Sequence, residues 1–455
     1  MNNGSRSPIA DWNLGLRTIP RALIIALGLG IVGSFLQGCA DEQSSIPPKS
    51  SRIAALKVDS DQEVNRLAKN IRIELPSARP NPEWSQAGGN STHTMGHLAF
   101  SRAPRLRWVA DIGRGKTLDS YLLTSPVSDG RMVYSLDSAG VVKALSLKTG
   151  LVAWRVSPEI QSDESQISPG GLAVSEGRLV VATGQNSVLV LDAKNGRTLW
   201  RQTMTAAIHS APMVVDQKVL VVSVENEVQV FALADGRKLW SQHGVPNGAG
   251  MLGAATPAAS NGMAIVGFSS GELYGILTDL GRVLWSDSSV SQRRVEAAAA
   301  LPDIVGLPVL DQALAIAVRH SGGTFAVDVR NGNRIWNRQI AGDQQPWVVG
   351  GFIYLVSTTG SLYCLQRDTG KTVWQVDLPK QTKNGAKKSI SWAGPILAGD
   401  RLILTSTHGK LLMLSPYDGS FVSSLNLPQG SRVAPIVVDG TLLVQTEGGY
   451  VIAWR

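Results

Sequence analysis

Few side chains of this 455-residue chain stand where they could do covalent or metal chemistry. Gly267-Phe268-Ser269-Ser270-Gly271 has the spacing of a hydrolase nucleophile elbow, a motif that needs a strand-to-helix turn to expose its serine. Gly271 also occupies a hairpin position that recurs along the chain, so a hairpin is expected there and acyl transfer is not. Of the six histidines only His93 and His97 share a helical spacing. They lie in a Gly/Asn/Thr stretch without a cysteine or carboxylate to complete a ligand set, so no metal site is expected. No Gly-rich phosphate loop and no paired carboxylates stand out. Lys380, Lys383, Lys387 and Lys388 sit in a Gly/Asn-containing loop without the interleaved aromatics of a nucleic-acid tracker, and read as a solvated loop.

One cysteine does have chemistry in prospect. Arg17 and Arg21 precede an uncharged apolar run over 22–36, the length of a signal-peptide core and short for a membrane span. The run ends in Leu36-Gln37-Gly38-Cys39, which looks like a bacterial lipobox. Residues 1–38 are then the removed signal peptide, and Cys39 carries the lipid. Each buried methylene contributes roughly 0.8 kcal/mol, so three acyl chains hold permanently where one would not. Ala40 after the cysteine implies, by resemblance to lipoprotein sorting, export to the outer membrane. The only other cysteine, Cys364, is left without a disulfide partner. Removing the leader lowers the formal net charge from +8 to +6, which is modest for the chain's size.

The elements that must position everything else come from an internal repeat. Glycine is followed four residues later by tryptophan at Gly150/Trp154, Gly196/Trp200, Gly236/Trp240, Gly281/Trp285, Gly332/Trp336 and Gly370/Trp374. Trp154 and Trp374 are 220 residues apart over five intervals, a mean of 44, the size of a four-stranded propeller blade. Ten residues before each of these glycines, and before Gly419, stand Gly140, Asn186, Asn226, Gly271, Gly322, Gly360 and Gly409, residue types that accept a left-handed hairpin turn. Twenty-four residues before the same glycines come Pro126, Pro212, Pro257, Pro308, Pro346 and Pro395, with Leu172 the exception. Proline there is expected to open the innermost strand, where a missing N–H is tolerated.

A seventh unit keeps Gly419 but has Ser423 for tryptophan, and an eighth begins at Pro435 and stops one strand short at Arg455. Leu106-Arg107-Trp108-Val109 resembles the tryptophan strands but has no three strands before it. The expectation is an all-β, eight-bladed β-propeller over 106–455, closed by pairing the strand near Trp108 with the last blade. Residues 39–105 are the lipidated cysteine, a tether and a lead-in. Trp108, Trp154, Trp200, Trp240, Trp285, Trp336 and Trp374 are expected to dock neighbouring blades, and Cys364, aligned with Ala144, Val190, Val230 and Ala326, to be small and buried.

The stretches 144–154 and 365–374 resemble the tryptophan-docking repeat of quinoprotein propellers. One branch, the PQQ-dependent alcohol dehydrogenases, holds quinone and calcium at the ring's centre and carries a vicinal Cys-Cys pair on a longer chain. This sequence has neither, so no cofactor is expected. The other branch, the BamB lipoproteins, combines lipobox, short tether and eight units, and 81–90 with 95–98 looks like the lead-in of alphaproteobacterial members. That resemblance implies a non-catalytic subunit of the β-barrel assembly machinery, lipid-anchored on the periplasmic face of the outer membrane. Its implied partners are the POTRA domains of BamA, other subunits of the complex and unfolded outer-membrane proteins. In the family the BamA contact lies on loops around blades three to five. Here 288–305, the longest interruption of the repeat, offers Arg293, Arg294, Leu301 and Asp303, unless it is only a tolerated insertion. A PQQ-type dehydrogenase and a glycan- or protein-binding periplasmic propeller are the alternatives.

Overall fold

The computed structural model describes residues 71–117, 120–158, 170–208, 210–247, 255–287, 302–382 and 388–455. Cys39, Arg293, Arg294 and Leu301 lie outside the described residues. Regular structure among the described residues is all β, with strands grouped into eight four-stranded antiparallel sheets that form the blades of a β-propeller. Blade one runs outward from the channel as Val127–Ser128, Met132–Leu136, Val142–Ser146 and Val152–Val156. The innermost strands of blades two to seven are Gly171–Ser175, Met213–Val215, Ala258–Ser260, Val309–Asp311, Trp347–Val349 and Trp392–Ala398.

Blade eight is composite. Ile436–Val438, Thr441–Thr446 and Tyr450–Trp454 come from the end of the chain, and the outermost strand is Leu106–Asp111. Trp108 pairs with Ala453, Val109 with Ile452 and Ala110 with Val451. Arg105 and Arg455 exchange both backbone hydrogen bonds, at 2.8 and 2.9 Å. The expected eight blades and their closure are thus both present.

Burial follows position within the blade. Second strands such as Lys218–Val222 and Arg401–Ser406 are buried nearly throughout because a neighbouring blade covers each face, which is why they read as unbroken apolar runs. Outermost strands such as Val152–Val156 and Phe421–Asn426 are largely exposed. Cys364 faces Trp374 across its blade, as Ala144 faces Trp154 and Val190 faces Trp200. Burial pushes its thiol up, so it stays protonated and inert.

What joins one blade to the next is a repeated lock. Each of the seven tryptophans donates its indole N–H, at 2.7–3.2 Å, to a carbonyl in the following blade: Leu147, Ala193, Leu233, Thr278, Val329, Arg367 and Pro416 in turn. Each ring also lies against the repeat glycine of that blade, so that a Cβ on Gly281 would meet Trp240 at 2.7 Å. These glycines have positive φ, with Gly281 at 68°. The eighth seam, between blades seven and eight, has no such lock. Blade eight has no turn joining its third and fourth strands, hence no glycine for a tryptophan to meet, and blade seven carries Ser423 instead. The lead-in crosses that seam. Arg401 of blade seven donates to the carbonyls of Ser101 and Arg102 and stacks 5.5 Å over Phe100.

Six of the seven expected left-handed turn residues have positive φ, and Asn186 does not. At Gly140, Asn226, Gly271, Gly360 and Gly409 the turn N–H bonds the carbonyl three residues back; the blade-two turn shares with them the outer bond, Thr183 N–H to Ser187 O, which Ser357 N–H makes to Ser361 O in blade six.

The lock can be measured by a pair of substitutions. Gly262 has φ +74° with open space around its missing Cβ, and Gly281 has φ +68° against Trp240. Gly262→Ala should cost about 1–2 kcal/mol for the left-handed backbone alone. Gly281→Ala should cost about 1–3 kcal/mol more, because the added methyl displaces the indole. Equilibrium denaturant unfolding of both variants checks the difference.

Candidate functional site

The site is built by the lead-in, which among the described residues is the segment without regular structure that touches every blade. Asn81 Nδ2 donates to Val437 O of blade eight at 2.8 Å. Trp84 and Ser128 of blade one exchange both backbone bonds at 2.8 and 2.9 Å. Ser85 O accepts from Val174 of blade two, Gln86 Oε1 from Val214 of blade three, Ser91 O from Ala259 of blade four and Thr92 O from Leu310 of blade five. Gly96 O accepts from Trp347 Nε1 of blade six at 2.9 Å, and Leu98 N donates to Leu397 O of blade seven at 3.1 Å. Between Asn81 and Leu98 the chain therefore circles one end of the channel, visiting the blades in order.

The cause lies in the innermost strands. In an antiparallel pair alternate residues turn their N–H and C=O toward the partner strand, and the residues between turn theirs away, here into the channel. A buried N–H without an acceptor costs free energy comparable to a lost hydrogen bond. Val174, Val214, Ala259 and Leu310 are such channel-facing residues, and the lead-in accepts from all four. Two residues earlier, at the next channel-facing position, stand Pro212, Pro257 and Pro308. In the other blades the same position holds Pro126, Pro346, Pro395 and Pro435, with Leu172 in blade two. The prolines are thus more specific than strand openers. They delete the donors that the lead-in does not reach.

Above the lead-in lies a cavity of about 590 Å³ whose lining includes Trp84, Ala87 and Gly88 below and Tyr121, Trp347 and Trp392 around it. Trp84 stacks on Trp347 with centroids 6.4 Å apart and planes 18° apart. Glu447, 6% exposed, binds Lys116 at 2.8 Å and Arg432 at 2.6 Å. Arg432 lies 5.2 Å over the Tyr121 ring.

His93 and His97 are parts of this floor, not a metal pair. His97 Nδ1 bonds Pro76 O at 2.8 Å and its Nε2 accepts from Asp400 N at 3.0 Å. His93, fully buried, bonds Pro308 O through Nδ1 at 2.7 Å. Its Nε2 has no protein partner, and a Cβ on Gly88 would meet its ring at 2.5 Å. Among the described residues no three His, Cys, Asp or Glu side chains come together to hold a metal. Ser269 follows the strand Met263–Gly267 and Gly271 turns with φ 81°, so the Gly267–Gly271 stretch is a hairpin rather than an elbow. Asp303 is 1% exposed and its carbonyl accepts from His320 N, so its carboxylate is enclosed rather than presented to a partner. Nor does the cavity suit a quinone bearing carboxylates. Such a group needs unmatched cations, whereas the lining's one arginine, Arg432, is matched to Glu447 and its one carboxylate, Asp343, would repel it. The lead-in's role was missed by a reading of periodic patterns. The only signal was the regular proline, whose partner lay in an aperiodic segment.

Burial holds the His93 imidazole down at about 4 against an ordinary 6.5, with the Pro308 bond opposing. The unfolded chain therefore binds a proton that the native chain excludes. The stability contributed is fully present above pH 6.5 and is lost as pH falls toward 4, by about 3 kcal/mol in total. His93→Gln should flatten the pH dependence of unfolding by that amount between pH 6.5 and 4, read as the difference between the two chains' denaturation free energies.

The sequence and fold were compared with known proteins. A family model described as "Outer membrane protein assembly factor BamB" matches residues 138–376 and 366–454. Outer membrane protein assembly factor BamB of Yersinia pestis is 26% identical over 359 residues, 77% of this chain and 89% of that protein. The protein of the same name from Escherichia coli strain K12 is 27% identical over 360 residues, covering 76% and 88%. In fold, the crystal structure of BamB from Moraxella catarrhalis matches with a TM-score of 0.64 at 17% identity, over 78% of this chain and all of that one. The quinohemoprotein alcohol dehydrogenase of Comamonas testosteroni matches with a TM-score of 0.65 at 15% identity, over 86% and 84%. The structural likeness is shared by both branches of the superfamily, whereas the family model spans the repeats of this ring and separates them: the chain belongs to the BamB family.

Proposed function

We propose that this chain is a non-catalytic scaffold of outer-membrane protein assembly, held on the periplasmic face of the outer membrane by lipid on Cys39. It docks on the periplasmic POTRA domains of BamA and helps bring unfolded outer-membrane proteins to insertion. The observation that carries the reading is the family match across the ring, to proteins named as outer-membrane assembly factors. Two features of the chain support it. The cavity's residues do not suit a quinone, and a ring locked at seven seams with its floor built in is a rigid body on which loops can be presented. Within 288–305 the contact falls to Arg293, Arg294 and Leu301, since Asp303 is enclosed.

Affinity purification of the tagged chain from detergent-solubilised outer membranes should recover BamA in stoichiometric amount. Its absence would refute the assembly role. Arg293→Glu with Arg294→Glu should lower that recovery severalfold while the ring stays folded, and unchanged recovery would move the contact off this segment. Cys39→Ser should release the protein into the soluble periplasmic fraction, as followed by fractionation and immunoblot.

A further inference from the structure

The outer wall of the ring is uneven in a way that blade packing does not require. Blades eight and one are neighbours, with Leu106–Asp111 and Val152–Val156 outermost. On this face Leu106 is 58% exposed, Val109 52%, Leu151 71% and Val152 50%. At the offsets from tryptophan where blade one has Leu151 and Val152, blade six has Lys371 and Thr372 and forms the same four-stranded sheet. Large apolar side chains gathered on a wall that polar ones serve equally well mark a surface that is covered in use.

Cations frame this patch. Arg105 and Arg107 of blade eight, Lys148 in the turn before the outermost strand of blade one, and Lys194 and Arg197 in the corresponding turn of blade two are all exposed. Among the described residues none of the five pairs with a carboxylate. The carboxylates of the same elements are occupied: Asp111 by Lys143 at 3.2 Å, Asp192 by the Lys194 N–H at 2.9 Å, and Asp439 of blade eight by Arg455 at 3.2 Å. In blades five and six, by contrast, arginines are matched, Arg330 to Asp328 at 2.6 Å and Arg367 to Asp311 and Asp368, both at 2.8 Å.

An acidic protein would have to set a carboxylate in register with each of these cations along a curved wall. Lipid phosphates move laterally and gather beneath them without any such register. Leucine and valine can then enter the boundary between headgroups and acyl chains, while the longer arginine and lysine side chains reach phosphates from blades that curve away. We infer that the wall of blades eight and one is a docking surface for an anionic phospholipid bilayer, which sets the edge of the ring against the membrane. The inference rests on the membrane attachment proposed above and deepens it, adding a second contact to the lipid on Cys39.

The test uses the full chain purified from membranes with one added cysteine, Cys364 being buried. Ala153→Cys in blade one and Ile335→Cys in blade five, each one residue before its blade's tryptophan, carry an environment-sensitive fluorophore. Vesicles of phosphatidylethanolamine with phosphatidylglycerol, or of phosphatidylcholine alone, contain spin-labelled lipid as quencher. The blade-one label is expected to be quenched on the anionic vesicles, released by about 0.5 M NaCl, and unquenched on phosphatidylcholine. The blade-five label should be unquenched on both. Arg107→Gln with Lys148→Gln should lower the docked-to-undocked ratio about 25-fold, roughly fivefold for each cation, and Leu151→Asn about fivefold, all at unchanged Tm. No quenching of either label, equal quenching of both, quenching indifferent to lipid charge, or full quenching in the charge-depleted variant would each overturn the surface. Quenching that appears only once BamA is added to the vesicles would assign the wall to a protein partner and overturn it equally. Sedimentation with phosphatidylcholine vesicles reads the lipid on Cys39 alone, so failure of the anchor and failure of the wall are told apart.

Discussion

The indole that reaches from one blade to the next is the interaction on which this ring depends. A four-stranded blade has two faces, both apolar, and can bury neither alone. Packing blades side by side covers the faces but does not set their spacing. The tryptophan sets it, because its N–H must meet a carbonyl of the next blade while its ring rests on a glycine with no Cβ and a left-handed backbone. Three demands converge on one residue pair. That convergence keeps a Gly and a Trp in unit after unit, each glycine receiving the tryptophan of the blade before, while the strands around them vary freely among Val, Leu, Ile and Ala.

A closed ring of this kind creates a second problem at its centre. The inner edges of eight strands face one another across a channel too wide for them to pair. This chain solves it with two devices at successive levels. At one level the lead-in supplies acceptors blade by blade. At the next, proline removes the donor in seven of the eight blades. The first device also makes the floor that separates the cavity from the end of the ring where the lead-in lies.

Much of the ring was legible in the sequence because each blade repeats the same physical demands at fixed offsets. Gly281 and Trp285 announce themselves by spacing, and the lone strand at Trp108 by being a fourth strand without three others. Asn186 shows the limit of that reading. Its residue type permits a left-handed turn but does not impose one, and its backbone does not take positive φ. The lead-in was harder to read. Its bonds are mainly from backbone groups of an aperiodic segment, so neither residue type nor period reports them, and the role of Pro212 or Pro257 becomes specific only once Ser91 and Gln86 are seen beside the same strands. Asp303 was singled out as a charged residue in an interruption of the repeat, and charge alone does not reveal that a side chain is enclosed.

The composite eighth blade also sets an order of events. The strand Leu106–Asp111 leaves the biosynthetic machinery before blades one to seven, yet its partner Tyr450–Trp454 leaves after them. Until then the first strand is an unpaired edge, and blade one has only one neighbour. Closure must bring together segments separated by almost the whole ring, paying loop entropy before any contact repays it. A chain lacking Tyr450–Trp454 would thus remain an open arc with an exposed strand edge at Leu106–Asp111, and the strand that completes blade eight acts as the checkpoint for closure of the ring.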